Sequence, residues 1–129
     1  MSKSKVYLAM VFLFAVFNAN AQRIPSIQEL KENPKVVIDY VNSDVNFVQN
    51  NLSEKLGKDK VKALKEIFYN KYKYISGSSD LANFEDQVVA ITERLKVLLG
   101  SKGIEELAKK ENSILVLSGR IYLDEKALK

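Results

Sequence analysis

The sequence predicts an all-α protein built as a small helical bundle, and three observations support this. Apolar residues recur at steps of three and four, most clearly at Leu81, Phe84, Val88, Ile91, Leu95 and Leu98. Such spacing places side chains on one face of a helix, whereas a half-buried strand would alternate every two residues. The two prolines lie where helices are expected to begin, and glycines separate the apolar stripes. We therefore predict two tandem helical hairpins, with four main helices, preceded by a short N-terminal helix.

Residues 1–21 are expected to be a signal peptide that is not part of this fold. Lys3 and Lys5 precede an unbroken apolar run at residues 6–17, and small residues stand at Ala19 and Ala21. A charged start, a short apolar run and an A-x-A site are the three parts of a secretory signal. The run is shorter than the roughly 20 residues that a membrane-spanning helix needs. We predict export to the periplasm or the extracellular space, with cleavage after Ala21.

The mature chain, residues 22–129, is expected to be a single helical domain without a membrane anchor. The end of the leader, Asn-Ala-Asn-Ala-Gln, resembles bacterial export signals. The chain has no cysteine, which excludes a lipid-anchored cysteine and disulfide bonds. Loss of Lys3 and Lys5 lowers the net charge from +4 to +2. This near balance is typical of a soluble helical domain and argues against a dedicated polyanion binder.

The first helix of the mature chain is predicted to be short, from about Ile27 to Glu32. Ser26 and Glu29 have the spacing of a capping box. In this motif, the serine hydroxyl accepts a hydrogen bond from the amide three residues later, and the glutamate reaches back to the first residue. The pattern therefore predicts a helix that begins directly after Ser26.

The second helix is predicted over residues 34–56, capped by Asn33 and with Pro34 at its first position. Its apolar face is predicted to contain Ile38, Val41, Val45, Val48 and Leu52. A strand over residues 36–41 is the alternative, because β-branched side chains lower helix propensity.

The third and fourth helices have clearer signals. The third is predicted from Asp59 to about Ile75, with a buried face at Val61, Leu64, Phe68, Tyr72 and Ile75. A loop is predicted at residues 76–79, and Asp80 is expected to cap the fourth helix, which carries the stripe already described. Gly100 is expected to end that helix.

The C-terminal part is ambiguous. A further apolar stripe begins at Ile104, residues 114–117 are apolar throughout, and residues 120–123 follow a Ser-Gly pair. Periodicity alone does not separate a buried helix from two short strands around a turn. We favour the helix, since a lone hairpin on a helical domain would lack sheet partners.

An internal repeat is also possible. Leu56-Gly57 and Leu99-Gly100 are 43 residues apart, and most apolar positions of the predicted hairpins coincide at this offset. A true tandem repeat and a chance alignment of two amphipathic hairpins both fit this pattern.

The residues needed for most enzyme chemistry are absent. The chain has no histidine and no cysteine, which excludes nucleophilic systems that pair serine or cysteine with histidine. The usual zinc, haem and iron–sulfur ligands are missing for the same reason. The remaining candidates are carboxylates off the apolar stripes, namely Glu85, Asp86, Glu93, Glu105 and Glu106. We interpret them as solvated helix faces and predict no enzyme activity, catalytic residue, metal or cofactor.

A calcium loop is considered and rejected. Residues 42–46 have the oxygen-ligand spacing of an EF-hand start. However, Phe47 stands where the loop requires glycine, and Ser53 stands where a bidentate glutamate is needed. We interpret these residues as part of a helix face.

The segment from Lys55 to Lys73 carries seven lysines together with Tyr69 and Tyr72. Basic residues interleaved with aromatic ones can bind a nucleic-acid strand or an anionic polymer. The candidate anion-binding face consists of Lys58, Lys62 and Lys65. The alternative is the solvated outer face of an amphipathic helix, which the absence of arginine in this segment favours.

The leading interpretation is a non-enzymatic exported protein that serves as a binding, adaptor or structural module. Its expected partner is another protein. The second interpretation is a binder of anionic cell-surface polymer or nucleic acid through residues 55–73, with nucleic acid the less favoured ligand. A carboxylate-based hydrolase is third. No pattern in the sequence specifies an oligomeric state.

Overall fold

The computed structural model describes residues 24–77 and 81–123, and within these ranges it contains helices and no strand. This confirms the predicted all-α class. The helices are α1 (Ile27–Glu32), α2 (Val36–Asn51), α3 (Lys58–Gly77), α4 (Leu81–Ala108) and α5 (Ser113–Ser118). None of the helices in these ranges is long and apolar enough to cross a membrane. The predicted signal peptide and the cap at Asp80 lie outside the described residues.

Helix α1 has the predicted bounds, and the serine half of the predicted capping box is present. The Ser26 hydroxyl accepts a hydrogen bond from the Glu29 amide at 3.0 Å. The Glu29 carboxylate accepts a hydrogen bond from the Tyr40 hydroxyl of α2, also at 3.0 Å. Leu30 is buried in the core. The short helix is therefore attached to α2 by a polar contact and to the core by an apolar one.

Helix α2 is helical throughout the region where a strand was the alternative, so that alternative is wrong. The helix begins at Val36, since Asn33 and Pro34 form a turn whose carbonyls accept hydrogen bonds from the amides of Val36 and Val37. It ends at Asn51, earlier than predicted. The placement of Ile38 in the core is also wrong, because its side chain is 60% exposed and the adjacent Val37 is buried.

Helix α3 lies between its neighbours and contacts α1, α2 and α4. Its predicted buried face is confirmed at Leu64, Phe68, Tyr72 and Ile75, while Val61 is half-buried. The predicted loop at residues 76–79 is wrong for Ser76 and Gly77, which are still helical. The Ser76 hydroxyl donates to the Tyr72 carbonyl at 3.0 Å, so this polar side chain is satisfied within the helix.

Helix α4 carries the predicted stripe, with Phe84, Val88, Ile91 and Leu95 buried. The helical geometry is interrupted at Gly100, which has φ +72° and ψ 171°. A residue with a β-carbon is strained in this conformation, so glycine is the natural occupant. The predicted break at Gly100 is therefore confirmed, and a further helical stretch continues to Ala108.

The C-terminal segment is helical, as favoured, and the alternative of two strands is wrong. Helix α5 covers residues 113–118 and is followed by Gly119, which adopts a left-handed conformation with φ +84°. Val116 and Leu117 are buried. Tyr122 follows, and its hydroxyl donates to the Pro25 carbonyl at 2.6 Å. This hydrogen bond joins the two ends of the described chain.

The stripe on α4 generates a stability prediction. Ile91→Asp places an unpaired charge in the core, where Ile91 is 4% exposed, and we expect it to lower the free energy of unfolding by about 3–5 kcal/mol. The control is Val97→Asp on the same helix, where the side chain is 85% exposed and we expect little change. Urea denaturation followed by circular dichroism measures both. Equal stability of the two variants would contradict the core assignment.

Candidate functional site

An open furrow follows α3 on the side that faces α2 and α1. Its wider part, between α2 and α3, has a volume of about 770 Å³. Its narrower part, beside α1 and the turn that precedes α2, has a volume of about 360 Å³. Tyr69 lines both parts, and the α3 residues of the two parts follow one another at steps of three and four on one helix face, from Lys62 to Ser76. We call this surface the α3 furrow.

The floor and centre of the α3 furrow are apolar. Ile38 and Val41 line the wider part, and Leu30 and Val37 line the narrower part. Ile38 is 60% exposed and Tyr69 is 45% exposed. Single exposed apolar side chains are common on soluble proteins. Here two large ones share a concave surface, which is more typical of an interaction site.

The edges of the α3 furrow are basic. Lys62, Lys65 and Lys73 line it from α3, and Lys31 lines it from α1, whereas Glu66 is the only acidic residue among the described residues that line it. The Lys73 ammonium lies 5.6 Å from the centre of the Tyr69 ring. The α3 lysines come together because steps of three and four residues share one helix face.

The structure places the three residues of the predicted anion-binding face along the exposed part of α3. Lys62 and Lys65 both line the α3 furrow. Lys58 is exposed at the first position of the helix and does not line this furrow. Two of the three lysines are thus combined with apolar side chains, in a setting that the sequence alone did not suggest.

A second groove lies beside the α3 furrow, between α3 and α4, and Glu66 and Asn70 of α3 separate the two. It has a volume of about 480 Å³, and its lining combines apolar Ile67 and Val97 with Glu66, Glu93 and Arg94. Because its charges are mixed, this groove carries no clear preference for an acidic or a basic partner.

Behind the α3 furrow, an ion pair is buried between α2 and α3. The Lys71 ammonium lies 2.6 Å from Asp44 Oδ2, and the exposed fractions of the two side chains are 1% and 0%. The Tyr72 hydroxyl donates to the same oxygen at 2.5 Å. Lys71 also donates to the Val116 carbonyl of α5 at 3.3 Å. The ammonium group of this α3 residue therefore contacts two other helices, α2 and α5.

The protonation of this cluster follows from its burial. Burial lowers the pKa of Lys71, and the negative charge of Asp44 acts against that shift. Burial raises the pKa of Tyr72 far above its usual range, and the charge of Asp44 raises it further. The tyrosine therefore remains a hydrogen-bond donor. Asp44 Oδ1 is buried and has no hydrogen-bond partner among the described residues.

The expectation that the lysines of residues 55–73 share one solvated face is wrong for Lys71. Lys71 lies three residues after Phe68 and four residues before Ile75, and Phe68 lies four residues after Leu64. Lys71 therefore falls on the apolar stripe of α3. A charged residue on an apolar stripe is the signal that indicates burial with a partner. Asp44 lies on a helix, as expected, but faces the core.

The carboxylates that were candidates for acid–base chemistry are distributed over the surface of α4. Glu85, Asp86, Glu93 and Glu105 are exposed. Glu106 accepts hydrogen bonds from the Ser53 amide at 2.6 Å and the Ser53 hydroxyl at 2.8 Å, and these bonds lower its pKa. It therefore attaches the segment after α2 to α4. Within residues 24–77 and 81–123, no cluster of three or more side chains suited to a metal ion is found.

Comparison of the chain with protein-family models, with curated proteins and with solved structures finds no match.

The buried pair generates a second prediction. Lys71→Met leaves the Asp44 carboxylate buried without its cation and should lower the free energy of unfolding by about 3–5 kcal/mol. Asp44→Asn removes the counter-ion of Lys71 and should also destabilise. The double variant should recover much of this loss, because no uncompensated charge remains.

Urea denaturation of the two single variants and the double variant measures this coupling. Lys73→Met is the matched control, because Lys73 is exposed on the same helix and its loss should change stability little. Strictly additive losses in the double variant would show that the two side chains do not interact in solution.

Proposed function

We propose that this protein is a non-enzymatic exported binding module, acting as an adaptor or structural component, whose partner is another protein bound in the α3 furrow. The observation that carries the proposal is that Ile38 and Tyr69 are exposed in the same furrow that four lysines surround. Protein interfaces combine an apolar centre with a polar rim in this way. Tyrosine is also among the residues that most often dominate binding energy at interfaces.

The rigidity of the furrow walls supports this proposal. Tyr69 lies two residues before Lys71 on α3, and the buried pair with Asp44 holds that helix against α2. Both walls of the wider part therefore come from helices whose relative position is constrained from behind. A preformed surface loses less conformational entropy on binding than a mobile one.

Two further parts of the proposal concern location and architecture. The charged start, the apolar run at residues 6–17 and the A-x-A site support export to the periplasm or the extracellular space, with cleavage after Ala21. The packing of α3 against both α2 and α4 supports two helical hairpins closing into a bundle, with α1 as a lid.

The second candidate function is binding of an anionic cell-surface polymer or nucleic acid through Lys58, Lys62 and Lys65. The lysine excess of residues 55–73 favours it. Such binding would depend on charge and fall steeply with salt. It would give no role to Ile38, and the lysines are not accompanied by arginine, the usual residue for bidentate phosphate recognition. We therefore prefer the protein partner.

Site-specific photo-cross-linking tests the proposed function. A benzoylphenylalanine in place of Tyr69, in protein made by the native organism, should yield a discrete adduct with one partner protein, identified by mass spectrometry. Adding Ile38→Asp should remove the adduct, because it places a charge in the apolar centre. The control is the same probe at Val89, which is exposed on α4 and does not line the furrow. Absence of a protein adduct at Tyr69, or equal adducts at both positions, would contradict the proposal.

A further inference from the structure

We infer that the α3 furrow binds a single amphipathic α-helix of the partner protein, with acidic residues flanking the apolar face of that helix. This inference rests on the proposed function and adds the chemistry of the partner.

The shape of the furrow favours a helix as the bound segment. The furrow runs along α3 from Lys62 to Ser76, and this part of a helix is roughly 21 Å long at about 1.5 Å per residue. Side chains from helices form its walls. The described residues offer no strand edge to which an extended peptide could add. An apolar groove between helices is the usual receptor for the apolar face of another helix.

The large accessible apolar side chains of the furrow are Ile38 and Tyr69, whereas Val41, Leu30 and Val37 form a floor that is almost completely buried. Ile38 and Val41 lie in the wider part, Tyr69 lies at the junction, and Leu30 and Val37 lie in the narrower part. A helix lying along α3 would present apolar side chains to Ile38 and Tyr69, at a spacing of three or four residues, and its end would lie over the narrower part. A hydrophilic polyanion has no side chains to bury there, so the apolar floor distinguishes a protein helix from a polymer.

The charges along the furrow indicate the sign of the charge that the bound helix carries. Lys62, Lys65 and Lys73 stand along the α3 edge and Lys31 stands at the α1 end, and in the part of the chain that the structure describes the acidic lining residue is Glu66. Carboxylates on a bound helix, spaced by three or four residues, would lie opposite the α3 lysines. Complementary charge increases the association rate and disfavours partners of the wrong sign. A basic helix would meet four lysines and is therefore disfavoured.

Three synthetic peptides of about four helical turns test the inference by fluorescence anisotropy. The first has a leucine face flanked by glutamates. In the second, lysines replace the glutamates. The third has the composition of the first but an order that destroys the apolar face. We expect the first peptide to bind at least about tenfold more tightly than either of the others.

A charge swap tests whether binding occurs in the furrow. The triple variant Lys62→Glu/Lys65→Glu/Lys73→Glu should lose the acidic peptide and gain the basic one. The control Lys102→Glu/Lys109→Glu/Lys110→Glu changes the net charge equally at exposed positions away from the furrow, and it should bind the acidic peptide as before. Ile38→Asp should weaken binding, whereas Val89→Asp should not. Circular dichroism confirms that each variant is folded.

Several outcomes would overturn the inference. One is binding of the scrambled acidic peptide as tightly as the amphipathic one. Another is heparin binding that is lost between about 50 and 200 mM salt and is unaffected by Ile38→Asp, which would indicate a polyanion site. A third is no binding of any peptide. A Tyr69 adduct in the cross-linking experiment would then still support a protein partner of another chemistry, so the two failures are distinguishable.

Discussion

The buried contact between Asp44 and Lys71 is the interaction on which the arrangement of these helices depends. Two opposite charges in a core are tolerated only when they meet, since either one alone carries a large desolvation cost. A different rotation or shift of α3 against α2 would separate them. The pair therefore disfavours alternative packings of two amphipathic helices that apolar contacts alone would distinguish poorly. A buried ion pair of this kind is weak evidence for net stability, but separating its two charges within the core would be costly.

Lys71 also connects this ion pair to the C-terminal part of the described chain. Lys71 donates to the Val116 carbonyl of α5, and a β-carbon at Gly119 would lie 3.3 Å from Lys71 Cγ. The glycine therefore allows the end of α5 to lie close to the lysine stem, and its φ of +84° is a conformation that other residues rarely adopt. Helices α2, α3 and α5 thus meet around one ammonium group, which gives the C-terminal segment a defined position.

This internal arrangement determines what the surface presents. With Lys71 and Tyr72 directed into the core, Tyr69 and Lys73 lie on the exposed side of α3. With Val37 and Val41 buried on α2, Ile38 is directed outward. The apolar centre and the basic edge of the α3 furrow are consequences of the helical rotations that the buried pair selects. The surface we propose as the binding site and the core interaction behind it therefore have one structural cause.

The sequence could predict the helices more reliably than the contacts between them. The apolar stripe on α4 was sufficient to predict which side chains of that helix are buried, because its apolar residues define only one helix face. In α2, by contrast, Val37 and Ile38 each begin a run of helical spacing that continues through Val41 and Val48, and only the neighbouring helices decide between them. The chemistry of Lys71 was predictable in principle from its place on the apolar stripe of α3. The α3 furrow was not predictable from the sequence, because it depends on the distance between helix surfaces, which no local pattern specifies.

The most direct test of this account is the reactivity of individual lysines in the folded protein. Brief acetylation followed by peptide mass spectrometry reports which ammonium groups are accessible. We predict rapid modification of Lys62, Lys65 and Lys73, which are exposed, and protection of Lys71 until urea unfolds the protein. Modification of Lys71 in the folded protein at the rate of these three lysines would contradict the buried pair and the helix arrangement inferred from it.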